Sequence, residues 1–143
     1  MRKTTATKTF KVLILDDNPD VRAHFAKQIW QIGGMPVAPP TESEYELTKI
    51  SKSKLRILLR KERFAVILVD SELGLGLGTK RGEDGQAIAD QLKGGKLGTL
   101  NNRTPLFSIF GDLRIKGARG SVYNNLTFDP VKSGIKDLEP FLR

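Results

Sequence analysis

Three aspartates in this chain have the type and placement to do chemistry. Asp16 and Asp17 follow the apolar run Lys11-Val12-Leu13-Ile14-Leu15, and Asp70 closes another, Phe64-Ala65-Val66-Ile67-Leu68-Val69. If the two runs are neighbouring parallel strands, all three carboxylates meet at one edge of a sheet, and open α/β sheets take their ligands beyond the carboxyl ends of their strands. Hard oxygen donors grouped in this way suit a divalent cation and a phosphate. The same aspartates could instead do no more than cap the loop into the next helix.

Composition narrows the alternatives. The chain has 143 residues with 38% apolar content, which fits one globular domain with a core of its own. It has no cysteine and a single histidine, His24, so disulfides, thiolate sites and a histidine pair for zinc are excluded and any metal must take oxygen ligands. No run reaches the roughly 20 apolar residues that span a bilayer, and the basic N-terminus lacks the apolar stretch of a signal peptide, so a cytoplasmic protein without membrane contact is expected. The formal charge of +8 is spread over Arg2 to Lys8, Lys49 to Arg63 and Lys80 to Arg119. An ordinary solvated surface explains this spread, and direct nucleic-acid binding is the less favoured reading.

The elements that would position the aspartates can be read from periodicity. Residues 1–9 read as a flexible basic leader, and 10–143 as a single domain. Asn18-Pro19 reads as an N-cap with proline at the first helical position, and Val21, Phe25, Ile29 and Ile32 recur at helical spacing up to Gly33-Gly34. Met35 to Ala38 reads as a short second strand. Thr41 to Arg63 reads as a helix interrupted near Ser51-Lys52-Ser53, with acids at its front and bases at its back, as the helix dipole favours. The unbroken run Phe64 to Val69 reads as a strand buried on both faces. A helix over Glu83 to Lys93, a fourth strand over Pro105 to Phe110, a fifth near Leu126 to Phe128 and a final helix over Ser133 to Leu142 complete a doubly wound, five-stranded parallel α/β sheet. His24 falls off the apolar stripe of the first helix and reads as a surface residue, whereas Trp30 reads as partly buried packing.

The succession of a strand, Asp16-Asp17, a helix, a strand ending in Asp70, then Asp84-Gly85, Pro105 and Asp129-Pro130 resembles response-regulator receiver domains from Phe10 to about Leu142. The resemblance implies a flavodoxin-like receiver fold. It also implies a phosphoryl group accepted on Asp70 from a histidine kinase or phosphotransfer protein. Mg2+ would be held by Asp16, Asp17, Asp70 and the backbone carbonyl of Glu72. The chemistry is sound, because a carboxylate attacks a phosphoryl donor poorly until a cation neutralises the repulsion between anions.

Three positions depart from the family pattern. Phe110 stands where receivers carry a serine or threonine, Asp129 where they carry a lysine, and Leu126 where many carry an aromatic switch residue. Ser108 lies two residues before Phe110, too deep to replace the hydroxyl. A carboxylate from Asp129 would add to the repulsion at the site, leaving Lys132, Arg114 or Lys116 as possible compensating bases. The segment after Asp70 is about seven residues longer than the resemblance implies and carries Gly74, Gly76, Gly78 and Gly82; it matches neither the dinucleotide nor the Walker pattern and reads as a surface insertion or lid, with Lys80 and Arg81 able to supply positive charge.

Together these readings describe an atypical receiver or pseudo-receiver of two-component signalling that acts by docking on signalling proteins, with the surface of the fourth and fifth strands as the contact. A phosphate-independent interaction module and a nucleic-acid-associated basic protein are the alternatives. A hydrolase is disfavoured, because no histidine-based nucleophile system is available. Oligomeric state is not legible.

Overall fold

Five short segments pair side by side in parallel, in the order β2-β1-β3-β4-β5, in the computed structural model, which describes residues 10–77, 82–109, 114–123 and 129–142. The strands are β1 (Lys11–Leu15), β2 (Met35–Val37), β3 (Val66–Asp70), β4 (Leu106–Ile109) and β5 (Gly120–Val122). The helices are α1 (Pro19–Gln31), α2 (Lys52–Lys61), α3 (Asp84–Lys93) and the short α4 (Pro130–Ser133), followed by a 3-10 helix over Ile135–Leu142. This is the doubly wound parallel sheet expected from the sequence.

The central strands are apolar at nearly every position because both of their faces are covered. Successive side chains point to opposite faces, so Leu13, Leu15, Ile67 and Val69 pack with Leu55 and Leu59 of α2 and Ile88 and Leu92 of α3. Val12, Ile14, Val66 and Leu68 pack on the other face with Phe25 and Ile29 of α1 and Leu138 and Leu142 of the C-terminal turn. Each such fully buried side chain contributes about 2 kcal/mol of transfer free energy. The register pairs Leu15 with Val69, so the strand ends at Asp16 and Asp70 lie next to one another. Among the described residues, no helix is long and apolar enough to cross a membrane.

The structure corrects the sequence reading in four places. The helix expected from Thr41 begins only at Lys52, capped by the Ser51 side chain, which accepts from the Lys54 N–H at 3.3 Å. Residues before it form an antiparallel bridge between Thr41 and Ile50, so Glu42, Glu44 and Glu46 are not in the first turn of α2. Serine and threonine side chains here bond the local backbone, as Thr41 Oγ1 does to the Ser43 carbonyl at 3.0 Å, and compete with helix.

The fifth strand is Gly120–Val122 rather than Leu126–Phe128, which lies outside the described residues. With one apolar side chain it has no periodicity to read, and pairing with β4 creates it: Val122 lies opposite Ile109, and a Cβ on Gly120 would come within 3.1 Å of the Phe107 ring. The C-terminal segment is a short α-turn followed by 3-10 helix, broken at Gly134. Trp30 is 60% exposed, because one step past the buried Ile29 turns it off the apolar stripe of α1.

Candidate functional site

Each of the three aspartates reaches the site from the end of an apolar strand. Asp16 and Asp17 leave β1 where the chain must turn into α1, and Asn18 caps that helix by accepting from the Asp20 N–H at 2.9 Å. Asp70 is the last residue of β3. One carboxylate oxygen from each of Asp16, Asp17 and Asp70 lies within 4.8 Å of the other two. The sheet thus brings together the three residues that the sequence singled out.

Their electrostatics reflect burial and crowding that Arg22 and local backbone N–H groups offset only in part. Burial pushes Asp16, only 4% exposed, up to about 6, with the Asn18 N–H on Oδ1 at 2.8 Å opposing the shift and Asp17 adding to it. Burial raises Asp70 to about 7, and the charges of Asp16, Asp17 and Glu72 add to this, against the Ser71 N–H donated to Oδ1 at 2.9 Å. Burial also raises Asp17, and Glu72 contributes further. Among the described residues, the charged side chains that shift Asp70 are Asp16, Asp17 and Glu72, all acidic. A cation between these oxygens would remove the cost of ionising them together, so the donor set fits a hard divalent ion with oxygen preference.

Arg22 and Asp84 support the site, and the sequence reading assigned a role to neither. Arg22, on α1, is buried and donates Nη1 to the Asp16 carbonyl at 2.9 Å and Nη2 to the Leu47 carbonyl at 3.0 Å. Its charge opposes the upward shift of Asp16 and Asp17, and it ties the acidic edge to the 41–50 segment. The only earlier signal was an arginine four residues before Ala26, on the buried side of the helix.

Asp84 is buried at the start of α3, where its Oδ2 accepts from Leu75 N–H at 2.7 Å and its Oδ1 from Leu77 N–H at 2.8 Å. These two bonds hold the first half of the glycine-rich segment against the domain, with Gly74 and Gly76 in left-handed conformation at φ +67°. Asp84-Gly85 was legible as a motif, and the structure gives its physical reason. Gly85 donates its N–H to the Ser71 carbonyl at 2.9 Å, and a Cβ there would sit 2.1 Å from the Asp70 carbonyl oxygen.

The remaining sequence candidates divide. Glu72 lies near enough for its charge to raise Asp17 and Asp70. Asp129 caps α4, its Oδ1 accepting from Val131 N–H at 2.9 Å. Phe110 and Leu126 lie outside the described residues, as do Lys80 and Arg81. Ser108 is fully buried and its hydroxyl accepts from Ile115 N–H at 3.3 Å. Arg114 and Lys116 are exposed, and the Lys116 N–H is bonded to Gln86 Oε1 at 2.7 Å.

No protein-family model and no curated protein sequence matches the chain. Solved structures do match. The receiver domain of a sensor histidine kinase from Pseudomonas aeruginosa, with a magnesium ion coordinated in its active-site cleft, is similar at a TM-score of 0.64 and 11% identity, covering 94% of this chain and 98% of that one. A signal receiver domain of a histidine kinase from Syntrophus aciditrophicus gives 0.58 and 20% identity over 91% and 89% of the two chains. A response regulator from Thermotoga maritima gives 0.56 and 14% identity over 93% and 99%. The fold is that of response-regulator receiver domains.

Proposed function

We propose that this chain works as a receiver in two-component signalling, with Asp70 as phosphoryl acceptor. The observation that carries the reading is the convergence of Asp16, Asp17 and Asp70 within 4.8 Å at the carboxyl edge of adjacent parallel strands. In this reading Asp16, Asp17, Asp70 and the backbone carbonyl of Glu72 hold Mg2+. The metal, when bound, neutralises the repulsion between the carboxylates and an incoming phosphoryl group. Asp70 keeps one oxygen on the Ser71 N–H, which orients the carboxylate and leaves the other free to attack. The donor is a phosphohistidine of a kinase or phosphotransfer protein: an O–P bond forms on Asp70 as the N–P bond of the donor breaks.

A phosphate-independent interaction module is the second reading, and one observation favours it. Among the described residues, the charged side chains that act on Asp70 are Asp16, Asp17 and Glu72, and Arg22, a cation beside Asp16 and Asp17, is committed to two backbone carbonyls.

Thermal melts of the wild type and Asp70→Asn with Mg2+, with and without beryllium trifluoride, separate the two. A ligand that binds only the folded state raises Tm. The receiver reading expects Mg2+ and beryllium trifluoride together to raise the Tm of the wild type and leave Asp70→Asn at its Mg2+ value. No response in the wild type overturns it in favour of the interaction module.

A further inference from the structure

The opposite, amino-terminal edge of the sheet holds a second feature. A cleft of about 650 Å³ opens there, bounded by Phe10 ahead of β1, the turn before β3 with Arg63, the loop before β4 with Arg103, and Phe141 of the C-terminal turn. A smaller cavity of about 120 Å³ continues it, sharing Asn102, Arg103, Thr104 and Pro105 and adding Lys93 and Arg119. The trough therefore carries Arg63, Arg103, Lys93 and Arg119, all exposed, and among the described residues no acidic residue lines either part. Neither Arg63 nor Arg103 makes a salt bridge among the described residues. Phe10 and Phe141, each half-buried, line the cleft; the Phe141 ring packs edge-on with Phe107 at 5.7 Å, and Arg119 sits 5.7 Å above it.

The floor is rigid. Asn101, at 1% exposure, donates to the Leu59 and Glu62 carbonyls at 2.9 and 2.7 Å and accepts from the Phe64 N–H and the Thr104 hydroxyl, both at 2.9 Å. Both the α2–β3 turn and the loop before β4 are thereby locked in place, so the trough exists before any ligand arrives.

We propose that this trough binds single-stranded nucleic acid, a few nucleotides at a time. The cations are spread along an elongated path, which matches successive phosphates better than one compact anion. Partly exposed rings beside them offer the stacking surface that unpaired bases use and that an acidic peptide does not need. The cleft's volume of about 650 Å³ is ample for a nucleotide, since ligand clefts run from about 300 to 1,000 Å³. The site lies at the opposite end of the strands from the aspartates and does not depend on their role.

The test is fluorescence anisotropy of labelled ten-nucleotide oligo-dT and oligo-rU, with unlabelled AMP and polyglutamate as competitors. Binding is expected in the micromolar range at low salt, with a log–log salt slope of about −2 to −3 for three to four phosphate contacts. The double variant Arg63→Ala/Arg103→Ala should weaken it at least tenfold; both side chains are exposed, and an unchanged melt verifies the fold. Phe10→Ala should weaken oligonucleotide binding several-fold without changing the salt slope. Absence of binding, binding unchanged in the arginine pair, or displacement by polyglutamate as effective as by unlabelled oligonucleotide would overturn the proposal. Equal affinity for AMP would overturn the extended-strand form of it. The dT and rU arms report which nucleic acid is preferred.

Discussion

The two ends of the sheet are built on the same strands and carry opposite chemistry. At the carboxyl edge, three carboxylates are held so closely that burial and mutual repulsion lift Asp16 to about 6 and Asp70 to about 7. At the amino edge, four cations line a trough with no acid among them, yet each is exposed and solvated. The first edge stores unfavourable charge that a cation can relieve; the second offers charge at little cost to the fold. The five residues of β3 separate them by roughly 17 Å at about 3.3 Å each. That is about twice the Debye length of about 8 Å at physiological salt, so each edge can be altered without moving the other. A parallel sheet thus provides two independent addresses for function.

The sharpest way to break that independence is Asp70→Asn. Phosphoryl acceptance, followed by mass shift after incubation with acetyl phosphate, is expected to fall at least a hundredfold, while oligonucleotide affinity at the other edge stays within about twofold, a loss and a tolerance set by removal of the nucleophile alone. Loss of both would show the edges to be coupled.

Next in size is Gly85→Ala. The new Cβ would meet the Asp70 carbonyl oxygen at 2.1 Å, so the β3 end or α3 must move. About 3 kcal/mol of destabilisation is expected in urea titration, with a weakened Mg2+ response, because the displaced backbone carries Asp70.

Asp84→Ala should cost about 2 kcal/mol through the two backbone donors it abandons, and it should speed hydrogen exchange at the Leu75 and Leu77 amides before any change at the amino edge.

The last test of the comparison is the dependence on pH. Asp16 and Asp70 have folded pKa values above their ordinary 3.8, so the folded state binds more protons than the unfolded one between about pH 4 and 7. Stability without metal should therefore fall as pH rises through that window, and Mg2+ should flatten the decline. The trough at the amino edge, which no carboxylate lines among the described residues, should show no such dependence in its nucleic-acid affinity.

Much of the carboxyl edge was legible in the sequence. Asp16, Asp17 and Asp70 each follow an apolar run, and a strand end is a position that period and run length reveal. Arg22 was not legible as a support, because it reads as an ordinary helical arginine until the 41–50 segment folds over it and presents the Leu47 carbonyl. Residues 41–50 misled because scattered apolar residues at helical spacing lose to local serine and threonine bonding when little packs against them.

The sequence by itself determined the parallel sheet, its covered faces and the meeting of three carboxylates, since each follows from local pattern and a short-range rule about where strands end. Only the tertiary structure decided the three-residue β5, which exists through pairing with β4, and the clamp of Asp84 on the glycine-rich segment. It alone assembled the basic trough, whose residues come from Phe10, the turn at 63, Lys93 of α3, the loop at 99–105, the 117–119 turn and Phe141. Range explains this: periodicity reports on neighbours a few residues apart, whereas a site made from six separate segments exists only once the core has brought them together.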